Sequence, residues 1–271
     1  MKKLSSLMFL FATGVGYAGV MGQAISEPRA YLSVFGGGGS LSSLSLTQLG
    51  TAFYSDTKGG PLAVNAFGQS NSLAEWMVGG SAGYYFSESP MLFGSLWSLR
   101  PATELEGYYL GQQNLKGEDV NNETTRLTEH DFLLSYPMSV GVGLVNAMAS
   151  FHHEKYARWH PYVAGGIGVA AVSISNATSS QMTPLEAGIN HYNSDRSDST
   201  STFATQAKAG LHFDWTEHVA LFAEYRYLYL AGTNYTFGSA VYPQHPATSE
   251  WNVKFGSQSY NMGVIGMRYL F

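Results

Sequence analysis

From Pro28 onward, apolar and polar residues alternate along the chain with a period of two rather than 3.6. Such alternation marks strands whose two faces meet different surroundings. Residues 218–230 are the clearest case. Val219, Leu221, Ala223, Tyr225, Tyr227 and Tyr229 share one face; Ala220, Phe222, Glu224, Arg226 and Leu228 share the other. The first face suits lipid, with tyrosines at one end where an interfacial girdle would sit. The second carries two opposite charges that lipid would reject. The last segment repeats the pattern, with Gly263, Ile265, Met267, Tyr269 and Phe271 opposite Met262, Val264, Gly266, Arg268 and Leu270.

Further outward faces follow. Trp76, Val78, Gly80, Ala82, Tyr84 and Phe86 make one. Leu105, Gly107 and Tyr109 begin another, opposite Glu104, Glu106 and Tyr108. Phe203, Thr205, Ala207, Ala209, Leu211 and Phe213 make a third, opposite Gln206, Lys208 and His212. Ala30, Leu32 and Val34 open the first strand. Segments 139–151 and 159–175 are rich in Gly and Ala, and their faces stay open.

Connections alternate in length. Long polar stretches cover 39–73, 112–129, 176–201 and 233–255; short ones cover 87–96, 152–158 and 214–217. Long outer loops and short inner turns are expected of a transmembrane barrel. An immunoglobulin-like sandwich matches the strand count but needs no long loop at every second connection. The predicted fold is all-β: a transmembrane antiparallel up-and-down β-barrel of about eight strands, with both termini on the periplasmic side.

Composition sharpens this. Charged residues are only 12% of 271, against ~25% in ordinary soluble domains. After the N-terminus no run approaches the ~20 apolar residues of a membrane-crossing helix. Residues 1–4 carry Lys2 and Lys3, residues 7–20 are apolar or small, and Gly22-Gln23-Ala24 offers a small-x-small cleavage site. We expect a signal peptide at 1–24 and a barrel domain at 25–271. Without the two lysines, 12 basic residues face 19 acidic ones, which argues against nucleic-acid binding. There is no Cys, hence no disulfide framework or thiolate site.

Several motifs carry a family resemblance. The ending Gly263-Val-Ile-Gly-Met-Arg-Tyr-Leu-Phe271 resembles the last strand of the small outer-membrane barrels, the OmpA/OmpX-like and opacity-type proteins. Trp159-His-Pro-Tyr-Val-Ala-Gly-Gly-Ile-Gly-Val169 resembles the start of their fifth strand, and Glu224-Tyr-Arg-Tyr227 their seventh. Asn146 falls where many members carry an Asn. The stretch after it, Ala-Met-Ala-Ser-Phe151, departs from the family's aromatic-acidic ending and leaves the fourth strand's register open. The resemblance implies the bacterial outer membrane, with its lipid and lipopolysaccharide as surroundings. It implies Phe271 as a signal read by the barrel-insertion machinery, and no peptidoglycan-binding module after it.

The candidate site is a lumen charge cluster: Glu104, Glu106, Lys208, Glu224, Arg226 and Arg268. Facing lipid, each midplane Arg or Lys would cost ~2–4 kcal/mol; facing inward, three acids can pair with three bases. A small barrel plugged by its own side chains is one outcome; a narrow pore for ions or small solutes is another. His152, His153 and His160 bracket a turn with Glu154, which we read as a polar turn rather than a metal site, since no metal-type spacing appears. His191, near Asp195 and Asp198, is the residue a lipid-modifying enzyme would use, but its surroundings lack the matching motif. No catalytic residue, metal or cofactor is expected. A structural or surface-interaction, adhesin-like role through four long extracellular loops ranks first, with host or surface ligands as partners. Phe53, Tyr54, Phe67, Tyr235, Phe237, Tyr242 and Trp251 are loop aromatics able to anchor a partner or pack the loops together.

Overall fold

The computed structural model describes residues 29–86, 97–122 and 130–271. The expected signal peptide at 1–24 and the first short turn at 87–96 lie outside these. Among the described residues the strands are β1 (Arg29–Leu41), β2 (Ser45–Ala52), β3 (Leu62–Ser70), β4 (Leu73–Tyr85), β5 (Trp97–Asn122), β6 (His130–His153) and β7 (Trp159–Ile174). They continue with β8 (Thr178–Thr183), β9 (Asp198–Asp214), β10 (Val219–Leu230), β11 (Thr233–Phe237), β12 (Trp251–Phe255) and β13 (Gln258–Leu270).

Eight of them close a ring. The order β1–β4–β5–β6–β7–β9–β10–β13 returns to β1, and every pairing is antiparallel. Closure leaves no strand edge in hydrocarbon, where an unpaired backbone group has no water to turn to. The outward positions keep large apolar side chains at the surface: Leu32, Val78, Leu105, Val145, Ile167 and Ile265, the last 71% exposed. Aromatic side chains flank this band, with Trp76, Tyr109 and Tyr225 toward one end and Trp159, Trp215, Tyr269 and Phe271 toward the other. This is the lipid-facing belt with girdles of a membrane barrel. The expected facings of the first three and last three ring strands hold. The two open segments resolve as period-two strands as well. β6 turns Val140, Val142, Leu144 and Asn146 inward, and β7 turns His160, Tyr162 and Ala164 inward.

The long connections differ from the expectation of polar loops. Much of them is strand. β5 and β6 run on past the ring, with register shifts at Leu110/Gln113 and Gly117/Val120. β8 pairs with the outer part of β6, and β3 with the outer part of β5. β2, β12 and β11 add in turn beyond β3. The outer part of the same sheet, β11–β12–β2–β3–β5–β6–β8, thus stands above the ring. It encloses a core of Leu46, Leu134, Tyr136, Phe237, Trp251 and Phe255, all at most 3% exposed. The aromatics Tyr235, Phe237 and Trp251 therefore pack the cap together, while Phe53 and Phe67 stay exposed. The reason is alternation in windows of five residues. Tyr235 and Phe237, like Trp251, Val253 and Phe255, point inward between outward Asn234, Thr236, Asn252 and Lys254. Within the third connection, read as Ser/Thr/Asn-rich loop, Tyr192 is fully buried against Tyr136 and Phe237.

Candidate functional site

Glu104 and Glu106 stand on β5, Lys208 on β9, Glu224 and Arg226 on β10, and Arg268 on β13, each two-residue step keeping the side chain on the inner face. All six are at most 6% exposed. The structure brings them into one chain of alternating charge. Glu224 pairs with Arg226, and Arg226 with Glu106. Lys208 Nζ lies 2.5 Å from Glu106 and 2.7 Å from Glu104. Arg268 closes the series 3.1 Å from Glu104. Three negative and three positive groups cancel, which is how ionised side chains survive burial.

Neutral groups complete the cage. Tyr31 and Ser81 donate to Glu104 Oε2 at 3.0 and 3.1 Å. Tyr162 donates to Glu224 at 2.6 Å. Arg268 donates to Ser33 at 3.1 Å and to Tyr85, and its guanidinium lies 3.8 Å over the Tyr31 ring. The Asn146 amide bridges the two β5 carboxylates, donating to Glu104 at 3.2 Å and Glu106 at 3.0 Å; Gln206 donates to it in turn. Across the β6–β7 pair, a Cβ on Gly166 would sit 1.9 Å from Asn146 Oδ1, so glycine there leaves room for the bridge. Sequence reasoning missed these neutral partners. Their signal was faint: single polar residues, such as Asn146 between Leu144 and Met148, on an otherwise apolar inner face.

Above the charges an apolar layer crosses the lumen. Leu110 sits between Met77 of β4 and Val140 of β6, and Tyr260 pairs in register with Leu41 and Leu228. These residues are buried, as are Phe35 and Met262 lower down, where Phe35 lies 4.8 Å from the Arg226 guanidinium and Met262 is in register with Arg226. Below the charges, a vestibule of about 380 Å³ opens at the end where β1 begins and β13 ends, lined by Arg29, Arg100, His160, His212, Asp214 and Glu217 among others.

The histidines separate. His152 turns inward, 4.0 Å ring to ring from His160, and His160 Nε2 meets Asp214 at 2.8 Å. His153 instead contacts Trp97 and accepts from the Lys155 amide, so the His152, His153 and Glu154 triplet does not converge. His191 is buried in the cap beside Glu186 and His245. Asp195 and Asp198 do not pair with it; they accept from the backbone amides of Ser197, Ser199 and Thr236. The Glu186 carboxyl is held below its ordinary pKa first by the hydrogen bond from His191, against the raising effect of its own burial.

No curated protein matches this sequence. Among solved structures the chain is similar to Neisserial surface protein A, at 15% identity over 89% of this chain and 97% of that one, with a TM-score of 0.30. It is similar to OprG from Pseudomonas aeruginosa, at 12% identity over 88% and 95%, with a TM-score of 0.36. It is also similar to the attachment invasion locus protein Ail of Yersinia pestis, at 15% identity over 86% and 99%, with a TM-score of 0.24. The family model described as the outer membrane protein beta-barrel domain matches residues 12–258. With a closed eight-strand ring, a lipid-facing belt and that match over nearly its whole length, the chain belongs to the outer-membrane β-barrel protein family of the bacterial outer membrane.

Proposed function

We propose that this outer-membrane barrel is a closed scaffold that displays a folded extracellular sheet for surface interaction. The observation that carries this is the filled lumen: a neutralised ionic chain roofed by an apolar layer. A conducting path needs water beside its charges, and here side chains take that place. The cap supports the second half of the reading. Its buried residues join one core with the inner face of the ring, while Phe53, Met182, Leu185 and Val241 stay exposed on it as apolar contacts for a host or surface ligand. Residues 1–24 act as the export signal, and Phe271, 63% exposed at the rim, as the mark read by the insertion machinery.

The test has two arms. Folded chain, verified by a heat-shift gel, is reconstituted into planar bilayers, where silence is expected. Reproducible channel steps that change with Arg268→Gln or Glu224→Gln would replace the scaffold by the pore. Cells displaying the chain are then compared with cells carrying Leu185→Asp and Val241→Asp for attachment to epithelial surfaces. Attachment should fall in the variant; equal attachment would refute the surface role.

A further inference from the structure

The cap brings three metal-ligating side chains to one point. Glu186 and His191 come from the segment after β8, and His245 from the segment between β11 and β12. Their ligand atoms all lie within 4.8 Å of one another. Glu186 Oε2 is 3.4 Å from His191 Nε2 and 3.2 Å from His245 Nε2. Zinc–nitrogen and zinc–oxygen bonds of about 2.0–2.2 Å place the ligands of a tetrahedral site roughly 3.4 Å apart. Two edges of such a tetrahedron already have the required length, and a small ring movement closes the third.

The surroundings of His191 point the same way. His191 Nδ1 lies 3.0 Å from the Ser179 carbonyl oxygen, which can only accept, so Nδ1 carries the hydrogen. The other ring nitrogen, Nε2, faces the Glu186 carboxylate at 3.4 Å. An imidazole N–H held by a backbone carbonyl is also the usual outer-shell support of a metal-bound histidine. The site is sheltered: His191 is 4% exposed and meets Phe132 and Trp251 edge-on, each at 5.7 Å. An adjoining cavity of about 30 Å³ has room for about one water. His130 lines that cavity at 9% exposure, its Nδ1 buried without a hydrogen-bond partner.

We propose that Glu186, His191 and His245 form a site for a divalent transition-metal cation, zinc by the chemistry of two imidazoles and one carboxylate, with water in the cavity as fourth ligand. This goes beyond the surface-display reading and does not depend on it. The ion ties the third outer segment to the fourth and fixes the surface they share. Neither the periodicity nor any short motif reveals the site, because Glu186 and His245 are brought together only by the packing of the cap.

The full chain, folded in detergent micelles and stripped with a chelator, is titrated with zinc sulfate against a chromophoric competitor. One zinc per chain is expected. His191→Ala or His245→Ala should weaken binding by at least about 100-fold, more than the loss of an outer-shell partner. Zinc should slow proteolysis of residues 176–197 in the wild type and not in His245→Ala. If His191→Ala disturbs the cap, Glu186→Gln and His245→Ala, at less buried positions, decide the matter alone. His160→Ala, which removes the other close histidine pair, should bind like wild type. Absence of zinc binding, binding that survives His245→Ala and Glu186→Gln, or binding lost with His160→Ala would each overturn the site.

Discussion

Lys208 is the joint of the lumen chain, and replacing it by Met separates a dry plug from a wet pore. Its ammonium holds Glu104 at 2.7 Å and Glu106 at 2.5 Å, with the lysine side chain only 4% exposed. Lys208→Met leaves three carboxylates with two guanidiniums, and the two β5 acids share the Asn146 amide with no cation between them. Breaking a buried pair by removing one partner costs about 3–5 kcal/mol. A hydrated pair is worth about 1 kcal/mol or less. At a urea slope of about 2 kcal/mol/M, the dry lumen predicts a midpoint shift of about 2 M. Barrels folded into lipid vesicles would be titrated with urea and followed by tryptophan fluorescence. The double variant Lys208→Met with Glu106→Gln keeps two direct pairs, Glu104–Arg268 and Glu224–Arg226. It should recover about 2 kcal/mol relative to the single variant, within the range of couplings between touching residues. A single-variant loss below about 1 kcal/mol, with no recovery in the double, would refute the dry ionic plug.

Three further outcomes follow from the packing. Ile265→Arg puts a charge on the lipid belt, where Ile265 is 71% exposed, and should cost about 2–4 kcal/mol in the same vesicle titration; Ser55→Arg on the cap should change stability by less than about 0.5 kcal/mol. A Cβ on Gly37 would lie 2.2 Å from the Gly263 carbonyl oxygen across the β1–β13 seam, so Gly37→Ala should destabilise the barrel by about 1–3 kcal/mol, read as a lower heat-shift temperature. Tyr192→Phe removes the hydroxyl that joins Gln48 to Tyr136 in the cap. Leaving that buried amide oxygen unpaired should cost about 1–3 kcal/mol locally, seen as faster amide exchange in β2 and β8 while the ring strands stay protected.

Much of the ring was legible from local pattern. A strand facing lipid on one side and packed lumen on the other must alternate, so each residue between 218 and 230 carries its facing in its parity. The same rule placed Glu104, Glu106, Lys208, Glu224, Arg226 and Arg268 inward, because charge in hydrocarbon is too costly at any outward position. β6 and β7 stayed open because apolar or small residues on both faces erase the contrast on which the pattern depends.

The sequence by itself determined the ring, its lipid belt and the sign balance inside it, since these follow from the period of two and the dielectric contrast between lipid and lumen. Only the tertiary structure decided which acid meets which base, that Asn146 bridges two carboxylates, and that the long connections extend the sheet above the ring over a shared core. The meeting of Glu186 with His191 and His245 belongs there too. The acid–base contacts alone join residues up to 164 positions apart, as in Arg268 with Glu104. Pairing at that distance is set by register around the closed ring and by the packing of the cap, neither of which leaves a local mark in the chain.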